Sequence, residues 1–373
     1  MRLLILCEYA TLLGGERSML ATLPAVRMAG FDVHVAAPLE GPLAEVLASA
    51  GVCHQVWQTH DPNGARLPLG VLRRDLADLL RHLQPALLHA NSLSTSRIAG
   101  PVAAECGIAS LGHLRDIARL APQAIADINC HRRILAVSRA CREFHVGQGI
   151  AAAQCVVVHN GVDLEQFCPR LSTGYLHEEL RIPLKSRLVA TVGQLGLRKG
   201  TEVVLAAALQ IAAEVPDLHW LIVGERTSNK QESLDFEALL HRIATQCRLA
   251  GRVHFLGSRT DVPQLLNECT LLAHAARQEP LGRVLLEAAA SGLAIVATEV
   301  GGTGEIFPSE QDGAVLVPPD DRQALSSAVL ALLTDHDRRQ SLGCAGRRRI
   351  EEAFGIREAS ARLIDEYRQV LNQ

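Results

Sequence analysis

Residues 186–200 read SRLVATVGQLGLRKG. The apolar run Leu188–Val192 stops at Gly193, a glycine loop follows, and Gly200 opens a helical pattern. Strand, glycine loop, helix is one step of a parallel sheet built from β-α-β units. The step recurs downstream in LHWLIVGE, RVHFLGS, CTLLAHA, LAIVATEVGG and GAVLVPP. It recurs upstream in RLLILCEYA, FDVHVAAP, PALLHAN, IASLGHLRD, RRILAVS and QCVVVHNG. Short apolar runs separated by helical segments predict two doubly wound α/β domains. The first is expected over residues 1–168 and the second over 184–354. The polar, proline-bracketed segment PRLSTGYLHEELRIP, 169–183, reads as the linker. Residues 355–373 read as one amphipathic helix with Ala359, Leu363, Ile364 and Tyr367 on a face.

At 373 residues the chain exceeds one ordinary core, in keeping with two domains. A hydrophobic content of 48% and a net charge of −3 describe a globular protein with no basic arm, which gives no reason to expect a nucleic-acid partner. The ten cysteines show no C-x-x-C and no ligand spacing, so they read as reduced thiols rather than disulfides or a zinc site. MRLLILCEYA is too short for a signal segment and reads as a first strand. No stretch is apolar enough to span a bilayer, and the expectation is a cytoplasmic protein, at most peripheral to the inner face of a membrane. Only three of the 37 basic residues are lysines, so a lysine in a special loop is informative.

Such a lysine is Lys199. Gly193, Gly196, Arg198, Lys199 and Gly200 share one loop at a helix start, the geometry and charge of a phosphate site. Further on, RQEPLGRVLLEAAASG (277–292) sets Glu279 before a helix and Glu287 within it. Eight helical steps separate them by about 12 Å, roughly the reach from a ribose to a sugar. Glu287 can accept hydrogen bonds from ribose hydroxyls while Glu279 faces the sugar. The amides of Leu281, Gly282 and Arg283, free at the helix start, add donors. EVGGTGEIF brings another glycine loop, Gly301, Gly302 and Gly304, then Glu305. Taken singly, each pattern has a plain alternative: an ordinary turn, a solvated cation pair, a glutamate at a helix dipole.

Together the motifs resemble the family 4 glycosyltransferases of GT-B fold. EPLGRVLLEAAASG is similar to that family's E-P-x-G with a second glutamate eight residues after the first. LLGGERSML resembles its glycine-rich first loop at Gly14 and Gly15, and VVVHNGVDLEQFCP its interdomain signature at Asn160, Gly161, Val162, Asp163 and Phe167. GGTGEI and FLGSRTDVPQLL look like two further segments, so the resemblance covers nearly the whole chain.

The resemblance implies two Rossmann-like domains facing across a cleft, with the tail helix packing back on the N-terminal domain. It implies retaining transfer of a sugar from a nucleoside diphosphate sugar to a sugar or lipid-linked acceptor, in glycan, polysaccharide or glycolipid biosynthesis. Glu287 would hold the ribose, Glu279 the donor sugar, and Lys199 the diphosphate as it departs. His113, in GHLRD at a strand end, would lie near the transferred sugar, with Gly15 opposite the donor. Arg115 and Asp116 are candidates for the acceptor pocket or for pairing with each other; Asn91, Ser92 and Ser138 fall at further strand ends. No metal or other cofactor is expected, and Asp335-His336-Asp337 reads as solvent-facing. One position departs from the family: Gln194 stands where an arginine is frequent, and Arg198 is the candidate to supply the missing charge. Two alternatives stay open, a nucleotide-sugar epimerase of the same fold and a non-catalytic sugar-nucleotide-binding protein.

Overall fold

The computed structural model describes residues 1–372. Thirteen parallel strands form two sheets with helices between successive strands. The first sheet holds β1 (Arg2–Leu6), β2 (Asp32–Ala37), β3 (Cys53–Val56), β4 (Leu87–Ala90), β5 (Ala109–Leu114), β6 (Arg133–Ala136) and β7 (Cys155–Val157). Its order is β3-β2-β1-β4-β5-β6-β7. The second holds β8 (Arg187–Val192), β9 (Leu218–Val223), β10 (Val253–Gly257), β11 (Leu271–His274), β12 (Ile295–Thr298) and β13 (Ala314–Val317), in the order β10-β9-β8-β11-β12-β13. The winding reverses between β1 and β4 and again between β8 and β11. At such a point the loops leaving the two strands diverge and open a crevice beyond their carboxyl ends.

β3 is absent from the alternation read in the sequence. Its residues, CHQV, contain no apolar run, because the strand lies at the sheet edge and pairs only with β2. The central strands are apolar on both faces because helices cover both: Leu3, Leu4, Ile5 and Leu6 of β1 are all fully buried.

The chain divides into two compact units, Met1–Gly161 with the residues from Ile356 onward, and Val162–Gly355. The first unit thus ends at 161 rather than at 168. Phe167 is buried, and its carbonyl accepts from Arg347 within the second unit. The segment 169–183 is no tether either. It carries a short helix, Tyr175–Leu180, and folds into the second unit. The Glu268 carboxylate accepts from the Ser172 hydroxyl at 2.6 Å and from the Thr173 and Gly174 amides at 2.6 and 2.9 Å. Those bonds anchor residues 172–174 to the second unit.

The last helix, Ile356–Leu371, belongs to the first unit. It packs on the helix Gly14–Met28 and on β5, and Leu363, Ile364, Tyr367 and Val370 complete the core around Val26 and Phe31. Asp335 and Asp337 are exposed, and the Asp335 carboxylate caps the helix His336–Ala353 by accepting from the Arg338 amide at 2.9 Å.

Candidate functional site

In the second unit the loops leaving β8 and β11 are fastened together. After Val192 the chain passes Gly193–Gly196, makes one turn of 3-10 helix at Leu197–Lys199, and enters the helix Thr201–Ile211 through Gly200. Gly200 has φ 61°, and a Cβ there would lie 2.0 Å from the Ala275 carbonyl oxygen. Only glycine permits that approach. The Arg277 amide donates to the Arg198 carbonyl at 2.8 Å. Its guanidinium donates to the Leu197 carbonyl and forms ion pairs with Glu202 and Asp320.

This fastening brings Lys199 to Glu279. The Lys199 ammonium donates to Glu279 Oε2, and His274 Nε2 lies 3.0 Å from the same oxygen. The pair is largely screened from water, with side chains 16% and 7% exposed. Burial opposes ionisation of Glu279, but Lys199 and the His274 hydrogen bond outweigh it and hold the carboxyl well below its usual range. Burial also pushes the His274 pKa down, so a neutral imidazole donates its Nε2 proton to Glu279. The Gly302 amide donates to the Glu279 carbonyl at 2.9 Å, which ties the third glycine loop to the same residue.

Glu287 has a partner of its own. It lies on the helix Arg283–Ala290, buried but for its edge, and accepts from the Arg283 guanidinium one turn earlier. Arg283 was expected to contribute its amide; its side chain engages Glu287 as well. The amides of Leu281, Gly282 and Arg283 precede the first intrahelical bond, from the Leu285 amide to the Gly282 carbonyl at 3.0 Å. Arg198 is half-buried, its Nη1 3.5 Å from the Gln278 carbonyl. The Gln194 side-chain amide donates to the Thr227 hydroxyl in the loop after β9.

The remaining candidates lie in the first unit. Asn91, just past β4, donates from Nδ2 to the Gly15 carbonyl at 3.3 Å. The Arg115 guanidinium, just past β5, donates to the Asn91 carbonyl, to Asn91 Oδ1 and to Asn160 Oδ1 at 2.8 to 2.9 Å. The structure thus gathers Gly15, Asn91, Arg115 and Asn160 into one cluster. Ser92 and Ser138 are helix N-caps, accepting from the Thr95 and Cys141 amides. His113 is buried; its Nδ1 lies 3.2 Å from His89 Nε2, and His89 Nδ1 lies 2.7 Å from the Tyr367 hydroxyl. Burial, reinforced by the Arg115 charge, pushes both imidazole pKa values well down and keeps both rings neutral.

Three contributors escaped the reading of the sequence. His274 ends β11 and His113 stands one residue before the end of β5, so the strand-end argument applied to His113 finds His274 too. Arg277 stands two residues before Glu279. Tyr367 was read only as part of an apolar helix face.

Among the described residues no group of three or more His, Cys, Asp or Glu is placed to hold a metal ion, and no helix is long and apolar enough to cross a membrane.

Two family descriptions match consecutive parts of the chain: Glycosyltransferase Family 4 over residues 13–166 and Glycosyl transferases group 1 over residues 174–349. Spore coat protein SA of Bacillus subtilis is 28% identical over 236 residues, 60% of this chain and 62% of that protein. The lipopolysaccharide core biosynthesis mannosyltransferase LpsB of Rhizobium meliloti is 28% identical over 210 residues, 56% of this chain and 58% of that protein. The chain therefore spans about three-fifths of the length of these relatives. Among solved structures, Anabaena HepE in complex with UDP and glucose superposes with a TM-score of 0.86 at 21% identity, covering 98% of this chain and 99% of that one.

Proposed function

This chain belongs to the family 4-type glycosyltransferases of GT-B fold, and we propose that it transfers a sugar, with retention of configuration, from a nucleoside diphosphate sugar to an acceptor hydroxyl. The acceptor in this reading is a sugar or a lipid-linked sugar, and the reaction needs no metal. The observation that carries the proposal is the Lys199–Glu279 pair, set between two glycine loops at the β8/β11 reversal.

Each residue has a task in the reaction. The bond between the anomeric carbon and the diphosphate oxygen breaks, a bond to the acceptor oxygen forms, and the acceptor proton is released with the nucleoside diphosphate. Negative charge gathers on the departing oxygens. A fixed ammonium at Lys199 stabilises it, and Arg198, half-buried beside it, adds a second cation. When Lys199 turns to the diphosphate, the Glu279 carboxylate becomes free to accept from donor-sugar hydroxyls, still steadied by His274, while Gly302 holds the Glu279 backbone. Glu287, oriented by Arg283, accepts from the ribose. The amides of Leu281, Gly282 and Arg283 receive phosphate oxygens at the helix start. Within the first unit, Arg115 serves the acceptor, Gly15 the donor and His113 the transferred sugar. Retention of configuration rests on the resemblance to the family.

Because HepE was solved with UDP and glucose, UDP-glucose heads the panel of donors to test. A nucleotide sugar at a hundred times its Kd should raise stability by about 2.7 kcal/mol. The donor found in this way should release nucleoside diphosphate when an acceptor is added, and a product of the opposite anomeric configuration would refute retention. A second reading, sugar-nucleotide binding without transfer, is favoured by the uncharged Gln194 held by Thr227. Any measurable donor hydrolysis or transfer by the wild type excludes it.

A further inference from the structure

Tyr367 is one of three tyrosines in the chain and is fully buried. Its hydroxyl lies 2.7 Å from His89 Nδ1. A phenol withdrawn from water must hand its proton to an acceptor, and leaving it unmatched costs the desolvation of the group. The imidazole nitrogen of His89 is that acceptor. If the bond ran the other way, from His89 to the phenol oxygen, the phenol proton would be stranded in the core.

The direction of this first bond fixes the next. A neutral imidazole carries one N–H. With Nδ1 accepting, the His89 proton sits on Nε2, which faces His113 Nδ1 at 3.2 Å. His113 Nδ1 therefore accepts, and its proton sits on Nε2. That atom is buried with no hydrogen-bond partner among the described residues. His113 lines a cavity of about 20 Å³ together with Arg115, Asn160 and Ser18, and the Ser18 hydroxyl is likewise buried without a partner. Two unmatched polar groups at one cavity mark a place for a ligand oxygen.

We propose that Tyr367, acting through His89, is a positioning residue that locks His113 as its Nε2–H tautomer, so that His113 meets the sugar as a neutral hydrogen-bond donor and not as a base. The identity of the ligand oxygen as a sugar hydroxyl rests on the transferase reading; the tautomer does not. Burial and the Arg115 charge, which hold both rings neutral, act in the same direction.

Nitrogen NMR of the full chain carrying isotope-labelled histidine reads the tautomer directly, with the His113 signals identified by their loss in His113→Asn. The wild type near neutral pH should show a protonated Nε2 and a bare Nδ1 at His113. The opposite pattern, or an imidazolium, overturns the proposal whether or not any variant folds. Tyr367→Phe keeps the ring against Phe31 but removes the proton donor. It should let His113 populate both tautomers and lower kcat about tenfold while donor KM stays within about twofold. A folded Tyr367→Phe with the wild-type His113 signals and kcat also overturns it. A wild type with the expected tautomer that turns over no nucleotide sugar leaves Tyr367 in its role and removes the transferase reading instead.

Discussion

The Lys199 ammonium and the Glu279 carboxylate, eighty residues apart in sequence, form an ion pair between the loops that leave β8 and β11. Lys199 is the main reason that Glu279 stays charged where water is scarce. The cation proposed for the phosphate and the anion proposed for the sugar neutralise each other.

Breaking that pair from one side should cost more than removing it whole. Lys199→Met leaves Glu279 buried with only His274 beside it, and unfolding free energy should fall by about 3 kcal/mol. The double variant Lys199→Met/Glu279→Gln should recover most of that loss in urea unfolding. Neither variant should transfer sugar at more than a small fraction of the wild-type rate. A stable and active Lys199→Met would refute the assignment of both residues.

Glu287→Ala should weaken donor binding by about tenfold to a hundredfold, the equivalent of the 1.5–3 kcal/mol of charged hydrogen bonds. Calorimetric titration with the nucleoside diphosphate alone checks this. Because Arg283 orients Glu287, Arg283→Ala should produce part of the same loss; an unchanged affinity in Glu287→Ala would show that the ribose lies elsewhere.

Arg198→Ala tests whether Arg198 supplies the charge that Gln194 lacks. At saturating donor, kcat should fall about tenfold or more, since the missing stabilisation belongs to the departing diphosphate. A wild-type rate would mean that Lys199 acts alone with the backbone amides of its loop.

Stability should fall on mild acidification. His131 is fully buried between the Ser110 hydroxyl and the Ser96 carbonyl, and burial holds its pKa down to about 4, against 6.5 for a free side chain. Below pH 6.5 the unfolded chain binds a proton that the folded chain refuses, so the contribution of this site is complete above 6.5 and fades as pH falls towards 4. The largest effect from this residue alone is about 3 kcal/mol. Urea unfolding of wild type and His131→Asn across that range should show a shallower pH slope in the variant.

Twelve strands were legible because each carries an apolar run, and helices cover the central ones on both faces. β3 was not, since an edge strand need not be apolar. The segment 169–183 misled because polarity in a sequence does not say who satisfies it; here Glu268, nearly a hundred residues later, does. The candidate site shows the same division. Lys199, Glu279 and Glu287 declare themselves by residue type and place, whereas their partners, each other, His274 and Arg283, are matters of distance. Tyr367 was hidden more deeply. Helical spacing assigns its ring to an apolar face, and nothing in the spacing speaks for its hydroxyl.

The return of the helix Ile356–Leu371 to the first unit also sets a timetable. A ribosome releases Met1–Gly161 long before it reaches Tyr367, so the half made first must wait, its core open around Val26 and Phe31, until the codons of Ile356–Leu371 are read. The second unit, continuous in the chain, has no such delay and can close while the first is unfinished. A stop codon within Ile356–Leu371 would therefore harm the unit built on Met1–Gly161 and leave the second unit whole.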